Sequence, residues 1–276
     1  MGNPFASFVD GREVEILGFL DRLVRMESPS QEKQSVDALM DVLAAGYRFM
    51  GFKTERLSND RYAGHLVANL SGGKGPRVFV VGHADTAFPL GTLATMPLRH
   101  EGNRLIGPGV QDPKGGLIVM FYAIQALIEF RDPIKGSLRV VVNSDAKAGS
   151  PTSRDHWSEL CRDVDWAFVL GPAQADGSLV LALEPAPSFD ILQKIVEEEG
   201  RGLKFPVKWS HTGEASDGNS IAAAGVPTID GMGPVGGGAH SPKEYVDIPS
   251  LYQKIALLGS ILDRLVGKGS VRRKTS

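Results

Sequence analysis

Four short polar segments carry the residue types that could do chemistry in this chain. In Gly82-His83-Ala84-Asp85-Thr86, an imidazole and a carboxylate stand two residues apart after a β-branched run. That spacing lets a histidine ligate a metal while the aspartate orients its ring. Alone it is a weak signal, since His-x-Asp recurs by chance and a lone histidine is usually structural. In Gly107-Pro108-Gly109-Val110-Gln111-Asp112-Pro113-Lys114-Gly115-Gly116, the glycines permit tight turns. Asp112 there just precedes a helical pattern, where it could also serve as an N-cap. Asn143 to Ser150 follows an apolar run and contributes Asp145 and Lys147, and Gly236 to Pro242 offers His240 on a permissive glycine loop.

The elements that must position these groups are legible as periodicity. Val14, Ile16, Leu17, Leu20, Leu23 and Val24, then Val36, Leu39, Met40 and Leu43, recur at helical spacing on either side of the polar break Glu27 to Glu32. His65 to Leu70 and Val78 to Gly82 are β-branched runs flanking the turn Gly72 to Pro76, and they predict two strands joined as a hairpin. Helix is expected over Lys114 to Phe130, strand over Leu138 to Val142, helix over Thr152 to Cys161 and strand over Trp166 to Leu170. Leu179 to Pro187 leads from a strand to the helix Phe189 to Glu199. Beyond it lie strands at Val207 to Trp209 and Val226 to Ile229, helix at Ser220 to Ala224, and a closing helix over Ile248 to Val266. The alternation predicts an α/β fold, a central mixed sheet flanked by helices. In such sheets, ligands gather beyond the carboxyl ends of the strands, where all four polar segments fall.

Bulk properties exclude several classes. With 276 residues, 42% hydrophobic and 22% charged, the chain can bury a sizeable core. A net charge of -2 supplies no field to recruit nucleic acid or an anionic membrane, and the basic tail Arg272 to Lys274 is short and terminal. No apolar run approaching the ~20 residues that span a bilayer, and no signal-peptide pattern, is apparent. One cysteine, Cys161, excludes an internal disulfide and suits a reducing compartment; its helical setting favours packing over nucleophilic use. The expectation is a cytoplasmic protein with neither nucleic acid nor membrane as partner.

In this order, His83 to Asp85, Gly107 to Gly116, Asn143 to Ser150, Ser216 to Asn219 and Gly237 to Ser241 resemble the zinc exopeptidase and aminoacylase family. That family includes glutamate carboxypeptidase, acetylornithine deacetylase and succinyl-diaminopimelate desuccinylase. The resemblance implies a catalytic domain carrying two zinc ions. By it, His83 would bind one zinc, His240 the other, Asp112 would bridge both, and Asp85 would orient His83.

The departures from that pattern all concern the metal site. Where the family carries two successive glutamates, the general base and a zinc ligand, this chain has Ala146 and Lys147; where it carries an acidic ligand before a proline, this chain has Gly171. Each zinc would keep one histidine and a share of Asp112, short of the usual three protein ligands, so no cofactor or only weak zinc binding is expected. Leu179 to Leu183 also runs through Glu184 to Ser188 directly into the next helix, so the family's lid and dimerisation domain would be missing near 183–188. Residues 1–276 would then form one monomeric catalytic-type domain. Ala84, Ala87, Ala146, Ala148 and Gly171 are small where the family is larger, and His211 and Glu214 are new polar groups. This concentration of changes is read as a redesigned pocket, with drift in a pseudoenzyme as the alternative.

Three functions follow. Lys147 could act as an amine nucleophile forming a Schiff base, as in retro-aldol cleavage, with Glu214 or His211 relaying protons. The cavity could instead belong to a non-catalytic scaffold or small-molecule binder. Or a residual hydrolase of N-acyl amino acids or peptides could hold one metal through His83, Asp112 and His240.

Overall fold

The computed structural model describes residues 2–181, 189–211 and 216–269. Its frame is an eight-stranded mixed sheet built from β1 (Lys53–Leu57), β2 (His65–Ser71), β3 (Arg77–His83), β6 (Ser137–Asn143), β7 (Trp166–Val169), β8 (Leu179–Leu181), β9 (Trp209–His211) and β10 (Thr228–Asp230). The strand order is β1-β2-β6-β3-β7-β10-β8-β9. The four central strands β6, β3, β7 and β10 run parallel, each to the next. Their carboxyl ends therefore share one rim. A smaller antiparallel sheet comprises β4 (Arg99–Glu101), β5 (Arg104–Ile106), β11 (Gly236–Gly237) and β12 (Tyr245–Asp247), in the order β11-β12-β5-β4.

Both faces of the large sheet are covered, which explains why its central strands read as continuous apolar runs. In β3, Val78 and Val80 join one core while Phe79 and Val81 join the other, as period-two geometry demands. The larger core packs against α1 (Pro4–Asp10), α2 (Glu13–Arg25), α3 (Lys33–Phe49), α5 (Gly116–Phe130), α7 (Phe189–Gly202) and α9 (Ile248–Leu262). The smaller core packs against α6 (Trp157–Leu160) and α8 (Asp217–Ala223), while α4 (Thr92–Thr95) is a surface turn. Two helix starts are capped as their sequences dictate. Asn3 Oδ1 accepts from Phe5 N at 2.8 Å, and Asp247 Oδ1 accepts from Ser250 N at 2.8 Å.

Three sequence expectations are corrected here. β2 and β3 do not form a hairpin, because β6 lies between them, antiparallel to β2 and parallel to β3. The Gly72 to Pro76 turn instead straddles the entry to β6: Gly75 N donates to Lys135 O and Ser137 N to Pro76 O, both at 2.8 Å. A hairpin turn would have left those backbone groups without these partners. The helix expected over 152–161 is a 3₁₀ turn, Ser153–His156, followed by the single turn of α6. Finally, Val110–Phe130 is long and apolar enough to cross a bilayer, with mean hydropathy 1.2 over a window that is 72% buried. It is the central helix of the larger core, so its apolar surface is spent on packing rather than lipid. The proposed lid-deletion point, 183–188, lies outside the described residues.

Candidate functional site

The rim of the parallel strands carries the polar groups because each strand ends where the sequence turns from β-branched to polar. His83 is the last residue of β3, residues 144–148 follow β6, Gly171 follows β7 and Asp230 ends β10. Asp112 comes from the kinked turn Val110–Gly115 that enters α5, where its own backbone is extended (φ -126°, ψ 102°). His240 comes from the connection between β11 and β12, with its own φ at +61° and that of Gly238 at +64°. A side chain at 238 would also bring its Cβ within 2.5 Å of Lys243 O, so the glycine is required for this loop to fold back. A cavity of about 610 Å³ opens between these groups, lined by His83, Asp112, Ala146, Lys147, Gly171, Asp217, Asp230 and His240.

Asp112 is the hub. Its Oδ1 lies 2.9 Å from His83 Nε2, while Oδ2 lies 3.0 Å from His240 Nε2 and 2.5 Å from Lys147 Nζ. The other nitrogen of His83, Nδ1, faces Asp85 Oδ1 at 3.1 Å. With a carboxylate at each ring nitrogen, the imidazole needs both protons. Burial opposes that charge, but the hydrogen bonds to Asp112 and Asp85 outweigh it and hold the His83 pKa up at about 9. Burial likewise opposes the Asp112 anion, and the His240 and His83 hydrogen bonds with the Lys147 charge overcome it, keeping the carboxyl well below its usual range. Asp85 does more than face His83: it accepts from Ser30 Oγ at 2.6 Å, Lys147 N at 2.8 Å and Ala146 N at 3.1 Å. It thereby fixes the backbone from which Lys147 reaches the centre.

Three carboxylates of this site escaped the sequence reading. Glu244 is fully buried and braces two loops, accepting from Gln111 N at 3.0 Å and Asp112 N at 3.1 Å through one oxygen and from His240 N at 3.2 Å through the other. Asp217, in the segment already singled out, accepts from Ser150 Oγ at 2.8 Å and from Asn143 Nδ2. Asp230 accepts from Gly231 N at 2.6 Å, and burial pushes its pKa up to about 6. A usable signal existed for Asp230, a carboxylate closing a short apolar run. None existed for Glu244, whose partners are backbone amides up to 133 residues away.

Of the residues picked from sequence, His83, Asp85, Asp112, Lys147 and His240 come together, and Ala146 and Gly171 line the same cavity. His211 does not join them. It is exposed on the edge strand β9, three strands from β7, and is absent from the cavity lining. Glu214 lies outside the described residues. Cys161 is buried in the smaller core, and burial raises its thiol pKa to about 12, so it packs rather than reacts. A second depression of about 740 Å³, shallow and apolar, lies between α2, α3 and α5 and shares no residue with the rim.

Two zinc ions would find no ligand atom at Ala146 or Gly171 and would meet the Lys147 ammonium at Asp112. Among the described residues, no group of three or more His, Cys, Asp or Glu side chains is arranged to hold a metal ion.

The α/β fold with polar groups on one strand rim is matched by the comparisons to a peptidase family. The profile of Peptidase family M20/M25/M40 matches residues 79–264, and the chain belongs to that family. It is 29% identical over 165 residues to carboxypeptidase G2 of Pseudomonas sp. (strain RS-16), an alignment covering 58% of this chain and 39% of that protein. It is 33% identical over 129 residues to succinyl-diaminopimelate desuccinylase of Gluconobacter oxydans (strain 621H), covering 45% of this chain and 32% of that one. The alignments thus span about a third of the length of these relatives. The fold matches the aminopeptidase PepT structure from Bacillus cereus ATCC 10987 with a TM-score of 0.74 at 13% identity, covering 92% of this chain and 98% of that one. It also matches the M20 family metallo-carboxypeptidase Sso-CP2 from Sulfolobus solfataricus, with a TM-score of 0.64 at 13% identity over 90% and 98% of the two chains.

Proposed function

We propose that this chain is a non-hydrolytic member of the M20 family that binds a small molecule in the rim cavity without zinc. The observation that carries the reading is the Lys147–Asp112 ion pair at 2.5 Å. It supplies positive charge from the protein at the carboxylate that the family resemblance assigns to bridging the metals. Ala146, in the place of the family's general base, cannot take a proton from water. The same ion pair speaks against Lys147 as a Schiff-base nucleophile, because its Nζ is held on Asp112 Oδ2 rather than left free to attack a carbonyl. The reading further holds that the chain is a monomeric catalytic-type domain without a lid, in which the cavity is open to ligands directly.

The test has two parts. Protein prepared without added metal is expected to contain well under one equivalent of zinc by elemental analysis, and to hydrolyse neither N-acyl amino acids nor glutamyl conjugates. Ala146→Glu, Lys147→Glu and Gly171→Glu together are expected to restore zinc binding before any hydrolysis. Stoichiometric zinc or turnover in the parent protein would overturn the reading.

A further inference from the structure

We propose that the cavity recognises its ligand through an organic ammonium group, seated between Asp217 and Asp230 in the open space beside Gly171. The proposal rests on the reading of the cavity as a binding site and specifies the ligand class.

The argument is one of unmatched charge. Three of the cationic or imidazole groups lining the cavity, His83, Lys147 and His240, lie within hydrogen-bond distance of Asp112. The fourth, Arg154, is exposed and donates to Gly149 O at 3.2 Å. Asp217 and Asp230 also line the cavity, yet no ion pair among the described residues involves either one. Asp217 is eased only by neutral donors and by the distant charge of His83, whose two ring nitrogens are already committed. Asp230 is eased by Ser216 and the Gly231 amide. Two carboxylates beside a water-accessible cavity, without a cation of their own, form a site whose charge a ligand can complete.

The shape of the floor points the same way. Gly218, next in the chain to Asp217, would place a Cβ 2.8 Å from Asp230 Oδ2, so the turn that carries Asp217 packs against the Asp230 carboxylate, and the Asp217 charge disfavours the Asp230 anion. A Cβ at Gly171 would meet nothing within 4 Å except Asp230 Oδ1, at 3.1 Å. Position 171 therefore leaves an approach to Asp230 that any larger side chain would close. A metal ion is a poorer occupant than an ammonium, since both Asp217 oxygens already accept hydrogen bonds and a metal needs bare ligand oxygens. An ammonium brings three protons to the lone pairs that remain, and a cavity of about 610 Å³ leaves room for the organic body behind it.

The experiment is calorimetric titration of the full chain, at a pH where both aspartates are ionised, with n-pentylamine, pentan-1-ol, sodium pentanoate, and zinc or calcium chloride alone. The amine is expected to bind at least about tenfold more tightly than the alcohol or the pentanoate. Asp230→Asn is expected to weaken the amine about tenfold and leave the alcohol unchanged. Gly171→Leu, which keeps both carboxylates and projects into open space, is expected to block the amine even if Asp217→Asn or Asp230→Asn fails to fold. Equal binding of amine and alcohol, preference for pentanoate, binding of a metal ion alone that Asp230→Asn abolishes, or no amine binding at millimolar concentration would each overturn the proposal. A parallel peptidase assay separates the two readings. Turnover sinks the non-hydrolytic reading whatever the amine does, whereas amine failure without turnover sinks only the ammonium site.

Discussion

His83 is bounded on both ring nitrogens by carboxylates, and this makes it a pH-dependent support of the fold. Its folded pKa of about 9 stands above the ordinary imidazole value of about 6.5, so protonation favours the folded state. That contribution is complete below about pH 6.5 and is lost as the pH rises through about 9. The size expected from the shift is on the order of 3 kcal/mol. Urea unfolding of the parent protein at several pH values should therefore show stability declining across that window, and His83→Gln should flatten the decline. A second prediction concerns Glu244, whose carboxylate holds three backbone amides. Glu244→Ala leaves the Gln111 and Asp112 amides unpaired in a buried setting, at about 1–3 kcal/mol each if no water replaces the oxygen. The expected result is a large fall in melting temperature together with faster hydrogen exchange at Gln111 and Asp112.

Among the elements, α5 controls the geometry of the rim. Its first residue, Gly116, lies so close to the end of β7 that a Cβ there would stand 2.0 Å from Leu170 O. Backbone cannot yield as a flexible side chain can, so Gly116→Ala must push the helix off the sheet. Overpacking of this kind costs about 1–3 kcal/mol or more. Because α5 continues directly from the turn holding Asp112, the variant is also expected to lengthen the Asp112–Lys147 and Asp112–His83 contacts. A crystal structure of the variant would measure both distances. The sequence marked Gly116 as one glycine of a permissive loop, but its role comes from contact with β7, far away in the chain.

At the scale of the molecule, two cores share one sheet, with alternate residues of β3 committed to each. Neither core can be lost without exposing a sheet face that the other helices do not cover. The described chain is therefore expected to unfold in one transition, with far-ultraviolet and near-ultraviolet circular dichroism giving coincident urea curves. Separated curves would mean that the layer of α6 and α8 melts independently.

The sequence by itself determined the fold class, most of the long elements and the five polar residues that meet at the rim. Those features depend on local periodicity and on strand ends turning polar, and both are written in consecutive residues. It also located α2, although Val14, counted on the apolar face, proves 88% exposed because it stands about 200° round the helix from the buried Ile16. Only the tertiary structure decided strand order, since β6 enters between β2 and β3 from more than fifty residues downstream. Only it revealed Glu244 as the brace of two loops, and Asp217 and Asp230 as cavity carboxylates with no ion pair among the described residues. Only it separated His211 from the rim and set Lys147 against Asp112 rather than free in the cavity. Each of these depends on distances between residues remote in the chain, which packing of the finished sheet fixes and no local pattern records.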